Sequence, residues 1–135
     1  MTDINVAVAE HVSPLAFEAT LQRLVGAIEA AGLRVFSSID HAANAREVGM
    51  QMLPATVLIY GNARGGTPIM LAAPLAALDL PLHVLVRQRE DGKTLIAFRP
   101  ILAVLRQHGA PEDLAARLQP AQQMLLRTLS SGASG

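Results

Sequence analysis

The chain has 135 residues, no cysteine, and 11 basic side chains balanced by 11 acidic ones. The lack of cysteine excludes disulfides, zinc–thiolate sites and cysteine nucleophiles. A net charge of zero with 3% aromatic residues predicts neither a nucleic-acid partner nor an anionic membrane partner. Charged residues make up 16% of the chain, below the roughly 25% usual for globular domains. We therefore expect a second subunit to cover some apolar surface.

The length predicts one domain over residues 1–130, followed by a flexible tail over 131–135 that reads SGASG. No signal peptide precedes the first apolar residues, and no apolar run approaches the roughly 20 residues that span a bilayer. We expect a soluble, cytoplasmic protein.

The first 32 residues predict a strand followed by an amphipathic helix. Residues 4–8 alternate between larger apolar and other side chains, which is typical of a strand. Ser13 and Pro14 are the predicted N-cap and first helical residue, and Gly32 is the predicted stop. Apolar residues at spacings of four and three predict one buried helix face: Phe17, Leu21, Leu24, Ile28 and Ala31.

The middle of the chain predicts two more strands. Residues 33–41 read as a strand that places Val35, Ile39 and His41 on one face, so His41 should point to a covered side. A short helix follows over 42–48. Residues 55–60 are apolar on both faces, which predicts an interior strand.

Asp91-Gly92 predicts a two-residue turn between the last two strands. That register would bring Leu85, Ile96 and Phe98 together on the second face of the sheet. Such a face needs a second layer, from a helix or from a partner subunit.

A last helix begins near Pro111, and Pro120 should kink or split it. The chain therefore predicts an α+β fold, with an antiparallel sheet of about five strands. The first and last helices should pack on one face, with short extra helices near 42–48 and 68–77.

The glycine-rich stretch over residues 61–67 is the predicted ligand site. Thr67 before Pro68 predicts a helix start, and amides left unpaired before it could bind an anion. The alternative is a capped helix after a tight turn, since neither a P-loop nor a dinucleotide motif is present. The candidate ligand-binding residues are Gly61, Asn62, Gly65, Gly66, Thr67 and His41.

His41, with Asp40 or Asp79 as its orienting acid, is the candidate for acid–base chemistry. The alternatives are a structural histidine and a turn-capping role for Asp79. No metal site is predicted, and the cofactor is unknown.

Four phrases in order resemble the domain-of-unknown-function 302 family: GLRVFSSIDHAA, TVLIYGN, GGTPIM and APLAALDLPLHVLV. The resemblance covers about residues 4–99. It implies a small α+β fold of the TATA-binding-protein-like class, often a homodimer, and no established activity, substrate or catalytic residue. Ala63 stands where the family often has proline, which affects the expected shape of the turn.

The leading functional hypothesis is a homodimeric binding or sensing module for a small, anionic ligand, without nucleic-acid or membrane partners. One alternative is a small enzyme that uses His41 as acid or base. Another is a subunit whose apolar sheet face binds a different protein.

Overall fold

The computed structural model describes residues 7–132, with side chains from 7 to 130. The strands in this part of the chain are β1 (Ala9–Ser13), β2 (Arg34–Asp40), β3 (Ala55–Gly61), β4 (Leu82–Gln88) and β5 (Thr94–Phe98). The helices are α1 (Phe17–Ala30), α2 (His41–Glu47), α3 (Ala63–Ala72), α4 (Ile101–Arg106), α5 (Glu112–Ala116) and α6 (Gln119–Gly132), with a 3-10 helix at Pro74–Leu78. Helix α6 thus continues into the predicted tail.

The five strands form one antiparallel sheet in the order β1-β5-β4-β3-β2. This confirms the predicted α+β class. The core lies on one face of the sheet, where helices α1 and α6 pack, as predicted. Its buried members from these elements include Leu24, Ile28, Leu58, Tyr60, Val84, Val86, Ile96, Phe98, Leu125 and Leu129.

The opposite side of the sheet is called here the open face. Its side chains follow from the strand register: Glu10, Val12, Ser37, Ile39, Ala55, Val57, Ile59, His83, Leu85, Arg87, Leu95 and Ala97. Val12 is 54% exposed, and Val57, Ile59 and Leu85 are half-buried. The open face is therefore partly apolar, and the described chain leaves Val12, Val57, Ile59 and Leu85 on it at least partly accessible to solvent.

The predicted start of α1 at Ser13 is wrong. Ser13 ends β1, and its buried hydroxyl lies 2.6 Å from the Thr20 hydroxyl and accepts from the Leu15 amide. With its oxygen occupied in this way, Ser13 does not cap the helix, which begins at Phe17. The predicted strand over 4–8 lies mostly outside the described residues, and β1 follows it.

The predicted β4–β5 register is wrong by one residue. The Gly92 amide donates to the Arg89 carbonyl, and the Arg89 amide donates to the Lys93 carbonyl. Gly92 has φ +87°, so the loop is a three-residue turn that needs glycine at its last position. The extra loop residue places Val86 opposite Ile96. Ile96 and Phe98 therefore face the core, and the predicted apolar trio with Leu85 does not form.

Strand β2 contains a bulge that the sequence pattern did not indicate. The register shifts between Val35 and Ser37, so Val35 pairs with core residue Tyr60, whereas Ile39 lies on the open face. An inserted residue breaks the two-residue alternation. His41 begins α2 and is exposed. The prediction that His41 points to a covered side is therefore wrong.

The split predicted at Pro120 is confirmed, because α5 ends at Ala116 and α6 starts at Gln119.

Buried Gln122 connects α6 to the end of the sheet through hydrogen bonds of its side chain. Its side-chain oxygen accepts from the Ile101 amide, and its NH2 group donates to the Arg99 carbonyl, both at 2.9 Å.

Two buried threonines provide a matched test of hydroxyl burial. Thr20 is hydrogen-bonded to Ser13, whereas the equally buried Thr94 hydroxyl has no partner among the described residues. Thr20→Val should lower the free energy of unfolding by about 1–3 kcal/mol, because the buried Ser13 hydroxyl loses its hydrogen bond with Thr20. Thr94→Val should leave it unchanged or raise it. Urea unfolding measures both, and equal losses would contradict the assignment.

Candidate functional site

Helix α3 begins earlier than the sequence predicted, at Ala63 instead of Pro68. The Asn62 side-chain oxygen accepts from the Gly65 amide at 2.7 Å, and the Gly66 amide donates to the Asn62 carbonyl. Asparagine is among the best N-cap residues, ahead of threonine. Thr67 is therefore inside the helix, and the amides of Gly65 and Gly66 are already paired.

A cavity of about 300 Å³ lies against the start of α3 and is called the α3 cavity. It sits at the sheet end where β3 finishes and β4 begins. Its lining contains all five glycine-rich candidates, namely Gly61, Asn62, Gly65, Gly66 and Thr67. The rest of the wall includes Leu33, Phe36, Met70, Leu80, Arg117, Leu118 and Ala121. The polar side chains are few, so the cavity is mainly apolar.

Close packing at Gly65 brings the C-terminal helices to this cavity. A Cβ atom at position 65 would lie 3.0 Å from the Leu118 side chain and 3.2 Å from the Asn62 side-chain oxygen. Only glycine allows this approach without displacing a neighbour. The sequence pattern did not connect Leu118 and Ala121 with residues 61–67.

His41 lies far from the α3 cavity. Gly61 pairs with Arg34 at one end of the β2–β3 ladder, and Thr56 pairs with Asp40 at the other. At 3.3 Å per residue, these ends are about 20 Å apart. The prediction that His41 and the glycine-rich stretch share one site is therefore wrong.

The predicted acid–base set is not assembled either. Asp40 accepts from the Ala43 amide at 2.9 Å and caps α2. Asp79 contacts His108, and its Oδ2 atom lies 2.6 Å from the imidazole Nε2. Within residues 7–130, the His41 side chain has neither a hydrogen bond nor an ion pair. Sequence reasoning missed His108, because a pairing across 29 residues leaves no periodic signal.

The shifted pKa values belong to positions outside the α3 cavity. Burial raises the pKa of the Tyr60 hydroxyl, which has no hydrogen-bond partner in the part of the chain that the structure describes. In the exposed β4–β5 loop, hydrogen bonds from Arg89 lower the pKa of Asp91 to about 2. Residues 7–132 contain no group of three or more His, Asp or Glu side chains placed to hold a metal.

Comparison with known proteins gives a family and a fold. The model of the family described as "Domain of unknown function DUF302" matches residues 9–131. The crystal structure of an uncharacterized conserved DUF302 protein from Bacillus stearothermophilus superimposes with a TM-score of 0.77 at 18% sequence identity. The match covers 91% of this chain and 95% of that one, which shows the same fold.

Curated relatives occur in Brucella. Over 100 residues, the chain is 29% identical to fluoride-specific ion channel FluC 1 of Brucella suis and to the same-named protein of Brucella abortus. The matches cover 73% of this chain but only 39% and 37% of those proteins. In the described part of this chain, none of the helices is long and apolar enough to cross a membrane.

The cap at Asn62 can be tested against a second asparagine. Asn62→Ala should lower the free energy of unfolding by about 1 kcal/mol, because the Gly65 amide loses its acceptor. Asn44 is exposed within α2 and serves as the control. Asn44→Ala should be neutral or stabilising, because alanine has the higher helix propensity. Chemical denaturation compares the two, and equal stabilities would argue against the cap.

Proposed function

We propose a function for this chain from the premise that it belongs to the family described as domain of unknown function DUF302. The chain binds a small molecule with an apolar body and an anionic end in the α3 cavity. The cavity volume of about 300 Å³ carries this proposal. Ligand sites are typically concave and mainly apolar, with volumes of about 300–1,000 Å³ and a few polar groups that orient the ligand.

The lining supports an amphipathic ligand. Phe36, Met70 and Leu118 provide apolar contacts for the body of the ligand. Arg117 is exposed and also lines the cavity, and its guanidinium group is suited to bind a carboxylate or a phosphate. The positive end of α3 adds a favourable field for an anion.

The position of the cavity also supports a sensing role. Its walls come from α3 on one side and from the α5–α6 junction on the other, through Arg117 and Leu118. A ligand that contacts both walls stabilises their packed arrangement, because it binds that arrangement better than a separated one. The order of the C-terminal helices would then report on ligand concentration.

Octanoate and 1-octanol separate the apolar and anionic parts of this proposal. We expect octanoate to bind more tightly than 1-octanol in isothermal titration and to raise the melting temperature. Arg117→Gln should weaken octanoate binding by about tenfold, because a hydrogen bond to a charged group contributes about 1.5–3 kcal/mol. Binding of 1-octanol should not change.

Arg127→Gln is the matched control, because Arg127 is an exposed arginine of α6 outside the cavity lining. It should leave octanoate binding unchanged, as should His41→Ala. The proposal fails if octanoate does not bind, or if Arg117→Gln and Arg127→Gln have equal effects.

The open face supports the second part of the proposal, a homodimer. It is apolar at Val57, Ile59 and Leu85 and carries the Glu10–Arg87 ion pair beside them. Packing of two such faces would cover this surface in each protomer. The strand spacings give a flat area of about 500 Å² per protomer. Side chains make the accessible surface of the face larger than this flat area. The buried area per protomer therefore approaches the value found in stable complexes, which is about 800 Å² per partner.

Charge placed on the open face tests the dimer. Val12→Glu should shift the equilibrium to monomer in light scattering, because a buried unpaired carboxylate opposes association. The matched control is Val48→Glu, at a position 72% exposed beside α2. A wild-type protein that is monomeric at all concentrations would contradict the dimer, as would equal behaviour of the two variants.

The names of the Brucella relatives motivate fluoride as a second ligand candidate. Sodium fluoride should then raise the melting temperature above that in sodium chloride of the same ionic strength. Identical curves in the two salts would exclude this candidate. A cytoplasmic location and an interaction with a different protein through the open face stay predictions of the sequence. The acid–base role of His41 has no supporting contact in the described residues.

A further inference from the structure

A second cavity, of about 360 Å³, runs from the open face over the end of the sheet. It is called the Asp79 cavity, because Asp79 is the one acidic side chain in its lining among the described residues. Leu85 and Ala97 form its apolar floor on the sheet. Leu82 lines both this cavity and the α3 cavity, so the two cavities share one wall residue.

The Asp79 carboxylate contacts His108 on one side and is accessible to solvent on the other. Its Oδ2 lies 2.6 Å from Nε2 of His108, whose side chain is only 15% exposed. The Asp79 side chain is 44% exposed. A carboxylate has about four lone-pair sites, so one contact with imidazole leaves acceptor capacity for a ligand. The contact with His108 therefore fixes the Asp79 carboxylate and leaves it accessible to a ligand.

We propose that the Asp79 cavity binds an organic cation, a primary ammonium group on a compact apolar body. Asp79 accepts the ammonium hydrogen bonds, and the apolar body lies on Leu85 and Ala97, so the ligand and a second protomer compete for this end of the open face. His108 is a positioning residue that holds the carboxylate through Nε2. This site is independent of the anion site proposed for the α3 cavity.

Two other titratable or charged side chains line the Asp79 cavity. His83 is exposed, and Arg99 takes part in an interaction of its own. An alkylammonium is still charged at about pH 8. Binding is therefore measured at that pH.

Three probes of one shape test the charge requirement: cyclohexylamine, cyclohexanol and cyclohexanecarboxylate. In 1H–15N NMR titrations at about pH 8, cyclohexylamine should shift the amides of His83, Leu85 and Ala97 and leave those of Gly65 and Gly66 in place. It should bind about tenfold more tightly than cyclohexanol, as expected for one charged hydrogen bond. Cyclohexanecarboxylate should not bind there.

Variants separate the role of Asp79 from general effects of charge. Asp79→Asn should weaken cyclohexylamine binding by about tenfold. The control Asp113→Asn, at an exposed acid of α5 outside the cavity lining, should not change it. The amide spectrum of each variant verifies that the fold is intact.

The positioning role of His108 has its own readout. His108→Gln keeps an N–H donor for Asp79 and should retain binding, whereas His108→Ala should lose most of it. The proposal is overturned by equal binding of cyclohexylamine and cyclohexanol, by an unaffected Asp79→Asn variant, or by equal loss in both His108 variants. Cyclohexylamine shifts confined to the α3 cavity would also overturn it, whatever octanoate does.

Discussion

The register of the β4–β5 hairpin is the constraint on which the rest of the structure depends. The left-handed backbone at Gly92 closes a loop of three residues. Val86 and Ile96 are therefore directed together to the helices, and Leu85 and Ala97 together to the other side. A slip by one residue would exchange these faces. The core, the open face and the floor of the Asp79 cavity all follow from this single loop.

Periodic features of the sequence were sufficient for much of the fold. The spacing of apolar residues in α1 and the break at Pro120 predicted elements that the structure contains. Features that depend on one residue were not predictable in this way. The bulge after Val35 changes the face of every later residue in β2, and Asn62 competes with Thr67 as the cap of α3. A local pattern contains both candidate caps and does not decide between them.

The candidate site was predictable only in part, for a related reason. The glycine-rich stretch marked one wall of the α3 cavity, because the unusual composition lies within a few residues. The opposite wall, at Arg117 and Leu118, comes from at least 50 residues later in the chain. The contact between Asp79 and His108 is likewise formed only in the folded chain. Neither pairing has a signature in a single sequence.

The approach of Leu118 to the backbone at Gly65 has a consequence for the evolution of this fold. A methyl group at position 65 would require the side chains of Leu118 and Asn62 to move by a few tenths of an ångström. Homologous chains that carry a bulkier residue at 65 should therefore have a shorter one at 118, so that the combined volume of the two sites is conserved. Correlated substitutions at positions 65 and 118 would therefore indicate, from sequences alone, that this contact is retained across the family.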